Sequence, residues 1–390
     1  MPSAAGSGPP GRRTPAAAAA EVRRHTIAPR PDRQARFAAI GFDFAEIACQ
    51  PYWDETACWS FSAAEIDALD DATMELERLC LAAVEHAVRR GAPAALGIPD
   101  TVWPIVVRSW EAQEPSLYGR MDLRWDGSGP PQLLEYNADT PTALFEAAVV
   151  QWDWLQSTWP GADQFNSLHE ALISAWLALP LPGGIHFACQ RGSDEDRGTV
   201  DYLRDTALQA GLAAPFLHVD EIGWDGRRFL DLDGAPIAHC FKLYPWEFLL
   251  RDAFGAHVAT APTRWIEPAW RMVLSGKGIL ALLWELFPDH PNLLPAFRAP
   301  GRTGGPEIRK PLWGREGANV TAPGHATAGP YGAEGYVHQA WAELPCFDGR
   351  YPVLGSWVVA GRAVGLGIRE DDTPITRDTS RFVPHYFSPG

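Results

Sequence analysis

The sequence predicts an α+β fold with a small α/β unit inserted in it, and three patterns carry that expectation. Two strand-like runs flank the turn-rich "DGSGPP" in "GRMDLRWDGSGPPQLLEYN", Gly119 to Asn137, which reads as a β-hairpin. Strand, helix and strand alternate through "GGIHFACQ", "GTVDYLRDTALQAG" and "APFLHV", a β-α-β rhythm between Gly183 and Val219. Near the end of the chain, "YVHQAWAEL" and "YPVLGSWVVAGRAVGLGIRE" read as strands of an antiparallel sheet.

Residues 1 to about 25 mix Pro, Gly, Ala and Arg without an apolar segment and read as a disordered tail rather than a secretory signal. The first clear helix follows Ser62. "SAAE", Ser62 to Glu65, is a capping box, and Ile66, Leu69, Leu76, Leu79, Cys80, Ala83 and Val84 recur at helical spacing until Arg89-Arg90-Gly91. In the hairpin, alternate side chains share a face. Arg120, Asp122 and Arg124 therefore lie together on one strand, and Glu135 and Asn137 on the other. If the two polar faces coincide, Arg120, Asp122, Glu135 and Asn137 converge. Thr140 then predicts a helix cap, with Pro141 at the first position of a helix through "TALFEAAVVQWDWLQ" and an anion site at its start. Ser167 to Leu179 is helical until Pro180 and Pro182 stop it, and "WRMVLSGKGILALLWELF", Trp270 to Phe287, has a helical pattern.

Composition narrows the function. With 390 residues, 46% of them hydrophobic, the chain can bury a large core in two or three structural units. No run of about 18 uncharged apolar residues is present, which argues against a membrane span. A formal net charge of −15 argues against nucleic acid as a partner, because phosphate backbones require clustered Lys and Arg. It would suit a cationic partner such as a polyamine, although acidity is also common in soluble enzymes. The six cysteines lie far apart without a CxxC pair, so they read as reduced thiols of a cytoplasmic protein. Nothing in the pattern sets an oligomeric state.

Asp122, Glu135 and Asn137 are oxygen donors of the kind Mg²⁺ prefers; a solvated hairpin face would need no metal. Lys277 in "SGKGIL" and Lys310 in "IRKPLWGREGANV" supply positive charge, and Gly314-Arg315-Glu316-Gly317 would let backbone N–H groups approach phosphate oxygens and close on a ligand. Alone, such a run is more often a surface turn, and neither a Walker A loop nor a GxGxxG fingerprint is present. His86 and His338 sit in core-forming segments, Trp152-Asp153-Trp154 reads as packing, and Cys80 and Cys346 lack a partner His at informative spacing. Glu247 and Glu267 fit either amine recognition or a buried ion pair.

The segments "LLEYNADTPTALFEAAVVQWDWL", "FKLYPWEFLLRDAFG", "EPAWRMVLSGKGILALLWELFPDHPNLLPA", "KPLWGREGAN" and "GSWVVAGRAVGLGIRED" resemble the ATP-grasp ligase domain of the glutathionylspermidine synthase family. The resemblance runs from roughly Arg24 to the C-terminus. It implies one ligase domain over 26–390, with a pre-ATP-grasp-like α/β subdomain near 170–240 and an ATP lid near 260–345. It also implies an ATP-dependent acid–amine ligase using ATP and Mg²⁺, in which an acyl phosphate forms and an amine displaces phosphate. Asp122, Glu135 and Asn137 match the magnesium ligands, and Arg120 the arginine at the transferred phosphoryl group. Lys277 and Lys310 match the ATP-phosphate lysines, Glu316 and Gly317 the loop over ATP, and Gln339 the adenine segment. Thr140, Thr142 and Arg369 fall on the acid-substrate side, with Glu195-Asp196 in place of the family's paired acidic contacts.

The Glu-x-Asn motif precedes both lysines here, the permuted order that this family shares with eukaryotic glutathione synthetases. The chain has no room for the amidase domain of the bifunctional members and resembles the short, stand-alone ones. The small-molecule acid and amine, whether glutathione and spermidine or others, stay open. A non-catalytic ATP-binding protein is the alternative; Arg120, three metal ligands and both lysines together favour the ligase.

Overall fold

The computed structural model describes residues 22–47, 49–377 and 379–388. Strand Tyr118–Arg124 pairs antiparallel with Gln132–Asn137, forming the expected hairpin. The hairpin is one edge of a five-stranded antiparallel sheet, continued by Tyr351–Val359, Arg362–Asp371 and Arg381–Val383 in that spatial order. Tyr118–Arg124 lies between two strands and is buried along almost its whole length. Its charged residues are therefore inside the protein and must be compensated there.

Helix Ala63–Arg90 packs the underside of this sheet, with Leu69, Leu76, Leu79 and Ala83 in one core with Leu123, Leu354 and Leu366. Its capping box is complete: Ser62 Oγ accepts from Glu65 N at 3.3 Å, and Glu65 Oε2 accepts from Ser62 N at 2.8 Å. Gly91, at φ 65°, ends it in the left-handed region. Ser62→Ala is expected to lower stability by about 1 kcal/mol in urea denaturation, because the hydroxyl cap is lost.

A second sheet is four-stranded and parallel, ordered Arg264–Ile266, His239–Leu243, His186–Cys189 and Phe216–His218. Parallel neighbours need a crossover, and helix Asp194–Gln209 provides one between His186–Cys189 and Phe216–His218. A third, antiparallel sheet holds Glu307–Pro311 beside Tyr336–Ala340 and carries Lys310 and Gln339. No helix among the described residues is long and apolar enough to cross a membrane.

Three local expectations are corrected. No helix starts at Thr140-Pro141. Residues 141–143 are irregular, Ala143 has φ 67°, and helical structure begins at Leu144 and passes through a π turn, Glu146–Val150, into Gln151–Thr158. Buried side chains of the sheet claim the carbonyls of this stretch: Pro141 O accepts from the Tyr118 hydroxyl at 3.0 Å, and Thr142 O from Arg120 Nη1 at 2.7 Å. The anion site expected at a helix start there is therefore absent.

Trp270 to Phe287 opens in a 3₁₀ turn, Ala269–Arg271, and continues as two helices, Met272–Ser275 and Gly278–Leu286, parted at an extended Gly276. Lys277 N bonds Leu312 O at 2.9 Å, and a Cβ on Gly278 would come within 2.9 Å of Leu96 Cα, so tertiary packing fixes the break. Finally, Arg23–Thr26 is a strand paired with Ala57–Ser62, which moves the end of the expected tail back from residue 25. Residues 1–21 of that tail lie outside the described residues.

Candidate active site

The strand register sets Arg120 opposite Asn137 and Asp122 opposite Glu135, so the four polar residues do converge. Asp122, 2% exposed, is held by two guanidiniums: Arg120 Nε donates to its Oδ1 at 2.8 Å, and Arg369 Nη2 donates to its Oδ2. Asn137 Nδ2 donates to the same Oδ2 at 3.2 Å. Gly355, on the neighbouring strand, leaves room for the Arg120 stem, since a Cβ there would lie 2.8 Å from Arg120 Cδ.

Two lysines close on this face. Lys277 Nζ lies 2.9 Å from Glu135 Oε2 and donates to Gly314 O at 2.7 Å. Its approach depends on the break at Gly276, which no helical pattern announces. Lys310 Nζ donates to Leu134 O at 2.9 Å and to Gln339 Oε1 at 2.8 Å, while Gln339 Nε2 donates to Leu133 O at 3.1 Å. The third sheet is thereby clipped to the hairpin. Burial alone would raise the Glu135 carboxyl, but Lys277, Lys310 and Arg369 outweigh it and hold it down at about 2. Burial lowers the Lys310 ammonium to about 8, against the pull of Glu135 and with the help of Lys277.

Two cavities meet at this point and share Glu135, Lys277, Gly314 and Glu316. The first is largely apolar, walled by Leu294, Ile308, Val353 and Ile375, with Asp122, Lys310, Gln339 and Gly317 at its polar end. Gly317 has φ 67°, and a Cβ on it would lie 2.5 Å from Thr376 O, so a side chain there would be strained as well as blocked. The second cavity is polar and lined by Arg120, Asn137, Thr140, Thr142, Glu195, Asp196 and Arg369. Burial and the neighbouring Glu195 raise the Asp196 carboxyl to about 6. Every residue that the family resemblance assigns to metal, ATP or substrate thus lines one cavity or the other.

The second cavity also contains residues whose place at the site the sequence left open or unassigned. Arg315, inside the glycine-flanked loop, donates to Thr140 Oγ1 at 2.9 Å and to Glu247 Oε1 at 2.7 Å, tying the loop to the opposite wall. Glu247 is therefore ion-paired within the cavity. Glu267 is fully buried outside both cavities, accepting from the backbone N–H groups of Leu117 and Tyr118 at 3.0 and 2.9 Å. Tyr52 joins the cavity from a segment with no polar pattern to mark it. Asp139 pairs with Lys242 at 2.7 Å and accepts from Trp246 N at 2.8 Å, joining the hairpin's exit to the parallel sheet. His338 bonds Glu307 at 2.8 Å, Trp154 is buried, and the six cysteines are free and line neither cavity.

Among the described residues, no group of three or more His, Cys, Asp or Glu side chains is placed to hold a metal ion. The donor set here is different, two carboxylates and a carboxamide gathered on one face. That chemistry suits a hard, oxygen-seeking divalent cation that keeps water and phosphate as its other ligands.

Comparisons with known proteins bear on the family and the fold. The family model described as glutathionylspermidine synthase preATP-grasp matches residues 24–388. A Haemophilus influenzae protein named "Putative acid--amine ligase" is 42% identical over 387 residues, covering 92% of this chain and 98% of that one. Trypanothione synthetase of Crithidia fasciculata is 28% identical over 73% of this chain, and the bifunctional glutathionylspermidine synthetase/amidase of Escherichia coli is 26% identical over 80%. The chain spans about half the length of these last two, 49% and 56%. In structure, a glutathione synthetase-like effector of Globodera pallida superposes with a TM-score of 0.57 over 91% of this chain and 95% of its own, at 10% identity, which speaks for a shared fold.

Proposed function

The chain belongs to the glutathionylspermidine synthase preATP-grasp family, and on that premise we propose that it is an ATP-dependent ligase joining a carboxylic acid to an amine. The observation that carries this reading is the junction of the two cavities. An apolar slot ending in two lysines opens, at Glu135 and Lys277, onto a polar cavity whose wall holds a buried arginine. A nucleotide in the first would present its terminal phosphate to an acid in the second.

The reaction we infer runs through an acyl phosphate. A carboxylate oxygen attacks the terminal phosphorus and ADP leaves; the amine then attacks the acyl carbonyl and phosphate leaves. Lys277 and Lys310 hold the phosphates, the apolar slot and Gln339 take the adenine, and Glu316 and Gly317 lie over it. Thr140, Thr142, Glu195, Asp196 and Arg369 orient the acid and its amine partner. Arg120 faces the charge that builds during transfer, already fixed by Asp122 and Thr142 so that it need not reorganise. Asp122, Glu135 and Asn137 would hold Mg²⁺, which when bound offsets phosphate charge. In this reading the fold is a permuted ATP-grasp, with the metal motif ahead of the lysines. The relative named glutathionylspermidine synthetase/amidase supports a peptide as the acid and a polyamine as the amine; an amino acid in either place fits the same reaction.

Mass spectrometry of the protein with Mg-ATP, pooled amino acids, glutathione and polyamines tests this. A product equal to acid plus amine minus water, with ADP, is expected. Amine-independent accumulation of a phosphorylated acid would make the chain a kinase, and bound but intact ATP would contradict turnover altogether.

A pH dependence follows from Lys310. Its depressed value means the ammonium is present below about pH 8 and lost above it. ATP affinity is therefore expected to be flat to about pH 8 and to weaken by up to about tenfold per unit beyond it, as read by calorimetric titration. Lys310→Met should remove that pH dependence while weakening binding throughout.

A further inference from the structure

Behind the acidic wall of the substrate-side cavity lies another carboxyl, Glu146, on the π turn after the hairpin. It is 1% exposed. Its Oε1 accepts from the Tyr52 hydroxyl at 2.6 Å, and its Oε2 has no hydrogen-bond partner among the described residues. Tyr52 itself lines the cavity, and Glu195, which also lines it, lies against the same hydroxyl. A buried carboxyl with an orphaned oxygen is a poor packing solution, since the unsatisfied atom costs stability. A π turn, which inserts one residue into a helix, is often found at a functional position.

The ligase reading creates a requirement that this pair meets. An alkylamine reaches the cavity as an ammonium ion and cannot attack an acyl carbonyl until its nitrogen has lost a proton. We propose that Tyr52 and Glu146 form the path for that proton. An N–H bond of the ammonium breaks as an O–H bond forms at the Tyr52 oxygen. The original phenolic O–H bond breaks as one forms at Glu146 Oε1. The neutral amine then attacks the acyl carbonyl and phosphate departs, and Glu146 keeps the proton until the next ammonium ion binds. Tyr52, Glu195 and Arg120 are the charged or titratable groups that face Glu146. Burial and Glu195 raise its carboxyl to about 8, with Tyr52 and Arg120 pulling the other way, so it holds a proton in the empty site. A cation beside Glu195 reverses that balance: the proton passes through Tyr52 to solvent, and the freed carboxylate can then act as acceptor.

This inference rests on the ligase reading, and the test separates the two. The wild-type chain, Glu146→Gln and Tyr52→Phe are assayed with Mg-ATP and the pooled amino acids and glutathione. The nucleophile is either hydroxylamine, which is largely neutral near pH 7, or an alkylamine: putrescine, spermidine or glycine. The ratio of alkylamide to hydroxamate is expected to fall on the order of 10²-fold in both variants. It should recover as pH is raised toward the alkylamine's own pKa. The ratio is unaffected by the fraction of protein that folds. Parallel loss with both nucleophiles, or an unchanged ratio, overturns the proton path while leaving the ligase intact. A wild-type chain inert to hydroxylamine and alkylamines alike overturns the ligase reading, and this inference falls with it.

Discussion

Arg120→Ala is expected to lower amide formation by two to three orders of magnitude, about 3–4 kcal/mol of transition-state stabilisation, with the KM for ATP nearly unchanged. The split follows from where Arg120 sits. It lines the substrate-side cavity and takes no part in the apolar slot, so the nucleotide's own contacts survive its removal. Asp122 keeps the Arg369 guanidinium, which limits the structural damage. Arg120→Lys is expected to rescue little, because one ammonium cannot reproduce the bonds that Arg120 makes to Asp122 and Thr142 O from a planar fork. Steady-state kinetics with each substrate varied in turn check this; a raised KM for ATP with kcat preserved would place Arg120 on the nucleotide instead.

Arg271→Ala is expected to have the largest effect on stability, about 3–5 kcal/mol. Arg271 is 1% exposed and ties the start of the hairpin to its exit: Nη2 donates to Tyr118 O at 2.9 Å and Nε to Ala138 O at 2.8 Å. Gly119 makes way for it, as a Cβ there would lie 2.4 Å from Nη2. Its removal leaves those carbonyls unpaired and Glu267, 3.6 Å away, without its counter-charge. Burial raises Glu267 to about 7, with Arg271 pulling it down. A carboxyl whose folded value is raised contributes stability that is lost as pH climbs from its unfolded value through its folded one. Without Arg271 the folded value rises further, so the loss continues above pH 7. The destabilisation measured by chemical denaturation should therefore be larger at pH 8 than at pH 5.

What the sequence made legible was periodic or local. The hairpin, with Arg120, Asp122, Glu135 and Asn137 on one face, follows from a period of two around a turn-rich linker. The long helix follows from a capping box and a period near 3.6. The irregular stretch at Thr140–Ala143 was misread because its carbonyls bond Tyr118 and Arg120, residues on another strand, and no local preference encodes that. The break at Gly276 was hidden for the same reason, since Leu312 O and Leu96 impose it. Glu247 was noticed but left between two roles, because Arg315, its partner, lies 68 residues away. Tyr52 and Glu146 were invisible as a pair because only folding across 94 residues joins them.

The most direct measurement of the central claim uses an acid with ¹⁸O at both carboxylate oxygens, ligated by the protein with unlabelled Mg-ATP and amine. Passage through an acyl phosphate requires one carboxylate oxygen to leave with phosphate, so one ¹⁸O atom per turnover is expected in the inorganic phosphate, alongside unlabelled ADP. Label recovered in AMP would show an acyl adenylate, and label kept wholly from the phosphate would contradict phosphoryl transfer to the acid.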